Sequence, residues 1–174
     1  MLFRSYANAD LAAMNRNKAT SAFEQTITIA RVLTENKLGF TTGGTVLLQD
    51  EFPVNKDVIG KANSFGTNVV VLPDTALPPV AGTNYTPSGT TTVVTPNGRV
   101  KVFLTDSLLS NLALNTVENA SQTSLQRQRI LSDTLLIALQ LPNSERNIFV
   151  SPPTYWEPSN EGAFVFAEIG RAHV

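Results

Sequence analysis

The chain has 174 residues, 42% of them hydrophobic and 16% charged, which suits one globular domain with its own core and excludes a disordered chain. A formal net charge of -1 gives no electrostatic reason to expect nucleic acid or an anionic membrane surface as a partner. The absence of cysteine excludes disulfides, thiolate nucleophiles and cysteine-ligated metals.

Both ends of the chain are predicted to derive from sequencing-adapter DNA. The codons that fit the last seven residues, "EIGRAHV" (Glu168 to Val174), contain a common adapter, and "MLFRS" (Met1 to Ser5) fits its reverse complement. Residues 6–167 would then be one α/β domain cut from a longer reading frame at both sides. His173, the only histidine, falls outside that domain, so neither a Ser-His-Asp triad nor a histidine-ligated zinc site could be assembled from it, and we assign it no metal or cofactor.

Two helices are predicted at the start of the domain. "ADLAAMNRN" (Ala9 to Asn17) carries Asp10 near its beginning, where a carboxylate suits a helix N-terminus. Lys18 to Lys37 repeats apolar or small side chains at the i, i+3, i+4, i+7 spacing of one buried helical face. The glycines of "GFTTGG" end the second helix.

Strands and helices alternate in the rest of the chain, which is typical of crossover units in a mainly parallel sheet. Two strands, "TVLL" and "NVVVL", are continuous apolar runs, so we expect them to be covered on both faces. The predicted strands are Thr45 to Gln49, Asn68 to Pro73, Val100 to Thr105 and Asn147 to Ser151, and the predicted helices are Val54 to Gly66, Thr105 to Leu114 and Ser121 to Gln140.

One segment departs from this alternation. Residues 74–97 are rich in Pro, Gly and Thr, and "TTTVVTPNGRVKVFL" predicts a β-hairpin with a type I′ turn at Asn97-Gly98. The expected fold is therefore an α/β fold with a mainly parallel sheet, crossover helices and one hairpin.

Carboxylates follow three of the predicted strands. They are Asp50 with Glu51, Asp74, and Asp106. Because ligands of parallel α/β sheets bind where the strands end, these groups could bind a cation or divide acid and base roles on a sugar. Asp106 also suits a helix N-cap, and Asp74 a turn, so a purely structural role stays open.

Three further residues are candidates for ligand binding. Tyr155 and Trp156 are adjacent aromatics beyond the last strand, which could stack on a sugar ring or cover the end of the core. Arg127 is predicted to open a helix, where a positive charge opposes the helix dipole, and it could pair with a carboxylate at the strand ends or be solvated.

Three stretches together carry a resemblance to a known family: "YANADLAAMNR" (Tyr6 to Arg16), "VVVLPDTALPP" with "NYTPSG" (within Val69 to Gly89), and Arg127 to Ser159. They resemble large actinobacterial envelope proteins of unknown function, exported by a signal peptide, held by a C-terminal transmembrane helix and often encoded beside the lipid II flippase. The likeness runs over almost the whole domain, in the same order.

The resemblance implies an extracytoplasmic domain, with a (β/α) barrel-like fold related to polysaccharide deacetylases and glycoside hydrolases. Since the histidine ligands of the deacetylases are missing, we expect binding of a cell-wall glycan or an envelope protein instead of catalysis. Two alternatives are a carboxylate-dependent glycoside hydrolase, with two of Asp50, Asp74 and Asp106 about 5 to 10 Å apart in a cleft, and a structural scaffold.

Overall fold

The computed structural model describes residues 2–4, 9–39, 45–48, 54–114 and 120–151. The chain divides into two compact units. The first unit comprises Met1–Pro78 and Gly89–Leu104, and the second comprises Pro79–Ser88 and Thr105–Val174. The chain therefore enters the second unit twice.

The first unit contains three α-helices in its described part, α1 (Leu11–Arg16), α2 (Thr20–Leu38) and α3 (Lys56–Ser64), at the predicted places. Asp10 caps α1, because its carboxylate accepts a hydrogen bond from the Ala13 N–H at 2.8 Å. Asn55 caps α3 in the same way, and Gly39 ends α2 in the left-handed conformation.

The sheet of the first unit has five strands in the order β1-β2-β3-β5-β4. Strands β1, β2 and β3 are parallel, whereas β4 and β5 pair antiparallel. The strands are β1 (Leu2–Arg4), β2 (Thr45–Leu48), β3 (Thr67–Pro73), β4 (Thr90–Thr95) and β5 (Gly98–Thr105). The α/β class is confirmed, with a mixed sheet, and within the described ranges the structure shows no barrel.

Strand β1 lies within the segment predicted to come from adapter DNA, where no element was expected. It pairs with β2 in parallel register, Phe3 opposite Leu47. The adapter origin of the segment stays a prediction.

The hairpin is confirmed, but its turn lies one residue earlier than predicted. Thr95 pairs with Gly98, so Pro96 and Asn97 are the central residues of the turn. A type I′ turn requires positive φ at both central residues, and the proline ring fixes φ near about -65°. The positive φ of +132° falls on Gly98 instead.

The core of the first unit lies between α1, α2, α3 and the sheet. In β3, Val70, Val71 and Leu72 are all buried, which confirms that this strand is covered on both faces. Phe23 and Ile27 lie on the face of α2 that the sequence predicts to be buried, and both are buried. The full cluster is Leu11, Ala12, Phe23, Ile27, Ala30, Val54, Val58, Ile59, Ala62, Val70, Leu72, Val93, Val100 and Val102.

The second unit contains two helices in its described part, α4 (Ser107–Leu114) and α5 (Ala120–Gln140). Both were predicted within one or two residues. Leu109 of α4 and Ile130 of α5 are its buried apolar side chains, among the residues that the structure describes.

The strand predicted at residues 147–151 is wrong. Only Phe149 pairs there, in a single parallel bridge to Thr105. Side-chain hydroxyls accept hydrogen bonds from the flanking backbone: the Asn147 N–H donates to Ser88 Oγ at 3.3 Å, and the Ser151 N–H donates to Ser110 Oγ at 3.2 Å. These N–H groups are thus committed to side chains and not to a ladder.

Candidate functional site

The structure describes two of the predicted carboxylates, Asp74 and Asp106, and they belong to different units. Asp106 caps α4, since its carboxylate accepts a hydrogen bond from the Leu109 N–H at 2.7 Å. Asp74 begins a short 3-10 helix (Asp74–Ala76) directly after β3, in the first unit. Asp50 and Glu51 lie outside the described residues, as do Tyr155 and Trp156. Their proposed roles stay predictions.

Arg127 does not open a helix, contrary to the sequence prediction. Helix α5 already begins at Ala120, so Arg127 lies two turns inside it, where the side chain is exposed. Because the helix dipole acts mainly on the first turn, the expected electrostatic cost of this arginine disappears.

The C-terminus of α5 is held by a cluster of hydrogen bonds that we call the Thr86 clamp, formed by Thr86, Ile137, Gln140 and Arg146. Gln140 Oε1 accepts from the Thr86 N–H at 2.8 Å. The Arg146 guanidinium donates to the Thr86 carbonyl at 2.9 Å and to the Ile137 carbonyl. Ile137 has one of the last four carbonyls of α5, which lack partners within a helix, so Arg146 acts as a C-terminal cap.

A cleft of about 340 Å³ adjoins this clamp in the second unit. Aliphatic side chains from α5 and from the segment after it form most of the wall. Its lining residues are Leu109, Ile130, Thr134, Ile137, Ala138, Leu141, Pro142, Ser144, Arg146, Ile148 and Val150. None of them was a candidate in the sequence.

The polar groups at the cleft are largely committed to the protein itself. The Thr134 hydroxyl donates to the Ile130 carbonyl at 2.8 Å, which is the usual bond of a threonine inside a helix. The Arg146 guanidinium is held by the Thr86 clamp. The cleft is therefore suited to apolar groups and not to a ligand that needs many hydrogen bonds.

Helix α5 is also apolar on the side opposite Ile130. Its exposed leucines are Leu125, Leu131, Leu135, Leu136 and Leu139. A helix that is apolar on several faces is normally covered on all of them. Leu136 and Leu139 are 59% and 61% exposed, so no described part of the chain covers this surface fully.

Two kinds of feature are absent from the part of the chain that the structure describes. No three His, Asp or Glu side chains there come close enough to hold a metal ion. Within the same ranges, every helix is too short or too polar to cross a membrane.

Comparison with protein families places the chain clearly. Residues 4–172 match the family of unknown function DUF6049, and the chain belongs to this family. Comparison with curated proteins finds no match. The family description gives no activity, so the function has to be argued from the site.

Proposed function

We propose that this chain is a non-catalytic binding domain of an extracytoplasmic cell-envelope protein, and that the cleft of the second unit receives an apolar segment of a protein partner. The observation that carries the proposal is the cleft wall, which is mostly aliphatic, while the Thr134 hydroxyl and the Arg146 guanidinium on it already have partners. Of the two partners expected from the sequence, a glycan and a protein, this chemistry favours the protein.

A glycan suits the cleft poorly. Sugar hydroxyls that enter an aliphatic wall lose hydrogen bonds to water, and an unpaired buried hydroxyl costs about 1 to 3 kcal/mol. Isoleucine and leucine side chains replace none of those bonds, and the described lining contains no aromatic ring for stacking.

The exposed leucines of α5 favour a protein over a small molecule. A ligand that fills about 340 Å³ would leave Leu135, Leu136 and Leu139 in water. A protein partner can place one segment in the cleft and cover the leucines on the other side of α5 with another part of its surface, which removes more apolar surface from water.

The test is a titration of the methyl-labelled chain, followed by NMR, with two probes of opposite chemistry. N-acetyl-leucyl-leucine amide should shift the methyl signals of Ile137, Ile148 and Val150, whereas N-acetylglucosaminyl-N-acetylmuramic acid should leave them unchanged. If only the disaccharide shifted these signals, the partner would be a glycan and the proposed protein partner would be wrong.

A pair of variants controls for unspecific effects. Ile137→Asn places an amide in the cleft wall and should abolish the shifts caused by the leucine peptide. Leu136→Asn changes the neighbouring residue, which is exposed outside the cleft, and should preserve them. Equal losses in both variants would contradict the cleft as the binding site.

The extracytoplasmic location is supported by the resemblance to exported envelope proteins. Its test is an alkaline phosphatase fusion to the full-length protein that contains this chain, because that enzyme gains its disulfides and activity only after export. Phosphatase activity in intact cells is expected, and an inactive, stably produced fusion would refute the location.

A further inference from the structure

Strand β4 lies at one end of the five-stranded sheet, and its register shows which backbone groups face the open side. Thr95 and Gly98 close the two-residue turn, so they form a hydrogen-bonded pair. The Leu104 N–H donates to the Gly89 carbonyl at 2.6 Å, at the other end of the same ladder. Hydrogen-bonded pairs alternate along an antiparallel ladder, so the odd-numbered residues of β4 bond to β5.

The even-numbered residues therefore point their backbone groups away from β5. For Thr92 and Val94, neither the N–H nor the carbonyl has another partner among the described residues. The strand contains only threonine and valine, which favour extended backbone, and no charge or proline blocks its edge before Pro96. No described strand therefore pairs with this edge of β4, and its backbone groups can bond to an added strand.

The outer face beside this edge is positively charged. Arg99 lies opposite Val94, and Lys101 lies opposite Thr92. All four side chains are exposed, Val94 by 74%. The Lys101 ammonium lies 5.0 Å from the centre of the Phe103 ring, and within the described ranges neither cation has a carboxylate partner.

We propose that β4 binds an extended segment of a partner protein as a sixth strand, and that this segment carries acidic side chains at alternate positions. The backbone groups of Thr92 and Val94 would pair with the added strand. Because side chains alternate between faces, every second side chain of that strand would lie beside Val94 and Thr92, on the face of Arg99 and Lys101. Carboxylates there would neutralise the two cations.

A second copy of the chain fits this edge less well. Antiparallel pairing of two β4 strands would place both copies of Arg99 and Lys101 on the same face of a continuous sheet. Four cations on one face would repel one another. An acidic segment of a different protein gives the opposite sign and is therefore the occupant that the charges favour.

The experiment uses the full chain and a blocked, fluorescent hexapeptide of alternating glutamate and valine, with fluorescence anisotropy as the readout. Val94→Pro removes an N–H that does not serve the hairpin, so the fold should persist while binding weakens about tenfold. Val94→Thr keeps the N–H and should bind normally. Unchanged circular dichroism and amide signals for residues 98–104 check the fold.

Charge is tested with the double variant Arg99→Glu, Lys101→Glu and a matching lysine-valine peptide. The native chain should prefer the glutamate peptide and the double variant the lysine peptide. The proposal would be overturned if the glutamate peptide bound Val94→Pro as tightly as the native chain, or if the native chain bound the two peptides equally well. Self-association in sedimentation that Val94→Pro abolishes would also overturn it, because the occupant would then be a second copy. Binding at β4 does not involve the cleft of the second unit. The proposal for the cleft can therefore be refuted without changing the outcome of this experiment.

Discussion

The two units of the chain use their apolar residues in opposite ways. In the first unit, apolar side chains from three helices and the sheet form one buried cluster. In the described part of the second unit, Leu109 and Ile130 are the buried apolar side chains, while the leucines of α5 remain in water. Among the described residues, the first unit is therefore stabilised mainly by a buried apolar core, and the second more by hydrogen bonds such as those of the Thr86 clamp.

This difference suggests separate roles: the apolar side chains of the first unit stabilise the fold, and the exposed leucines of the second are available for the proposed binding. Exposed leucines contribute little to the stability of the free chain, and in the proposed function they form the surface that the partner covers. The contrast predicts that substitutions in the first unit change global stability, and that substitutions in the second change local stability or binding.

The largest expected effect comes from the core. Phe23→Ala should lower the free energy of unfolding by about 3 to 5 kcal/mol, because Phe23 is fully buried and its loss leaves a cavity. Leu136→Ala on α5 should change it by less than about 0.5 kcal/mol. Urea unfolding measures both, and similar losses would break the contrast between the units.

The Thr86 clamp should matter mainly to the second unit. Arg146→Met removes the donors to the Thr86 and Ile137 carbonyls, which should cost about 1 to 3 kcal/mol. The readout is faster amide exchange near the C-terminus of α5. Arg129→Met, an exposed change on the same helix, should leave that exchange unaltered. Faster exchange in β3 as well would show that the clamp also stabilises the first unit.

The N-caps of α1 and α4 allow the same substitution to be compared in the two units. Asp10→Ala and Asp106→Ala each remove one bond from a carboxylate to a backbone N–H and should cost about 1 kcal/mol. Since Leu11 and Ala12 belong to the core, the loss at Asp10 should reduce amide protection across the first unit, whereas that at Asp106 should stay within α4.

An asparagine at either position provides the control, because it caps nearly as well as aspartate. Asp106→Asn should therefore unfold like the native chain. A stability loss in Asp106→Asn as large as in Asp106→Ala would mean that the negative charge, and not the cap, is what Asp106 contributes.

The smallest effect is a gain. Gly60→Ala should stabilise the first unit by about 0.5 to 1 kcal/mol, because alanine favours a helix interior and its methyl would meet Thr95 Cβ at an ordinary 3.8 Å. Gly98→Ala should destabilise the hairpin, since its φ of +132° disfavours any side chain. Thermal unfolding measures both, and a loss in Gly60→Ala would mean that α3 cannot accept the added methyl.

Local patterns predicted most helices and strands, because a cap such as Asp10 or an apolar run such as "NVVVL" acts within a few residues of itself. The turn lies earlier than predicted because a turn centred on Asn97-Gly98 would be closed by a pair of hydrogen bonds between residues 96 and 99, and Pro96 has no N–H to donate. The prediction of a strand at residues 147–151 was wrong because the N–H groups of its first and last residues bond to Ser88 and Ser110, which are distant in sequence.

The cleft and the clamp could not be predicted. Thr86 and Arg146 are 60 residues apart, and no spacing rule connects an arginine after a helix with a carbonyl in an earlier loop. The only local signal was an arginine shortly after the end of α5, which is common for residues that cap a C-terminus. The edge of β4 could be predicted in part, since the sequence predicted the hairpin but not the order of the strands in the sheet.

The Thr86 clamp has a consequence for how the second unit can be isolated. The N–H and the carbonyl of Thr86 take part in the clamp. Thr86 belongs to residues 79–88, a short part of the second unit that lies in sequence between the two segments of the first. A truncation that begins at Thr105 would delete Thr86 and leave Gln140 and Arg146 without these partners. A fragment meant to contain the second unit with its clamp must therefore include both segments, with residues 79–88 joined by a linker to residues 105 onward.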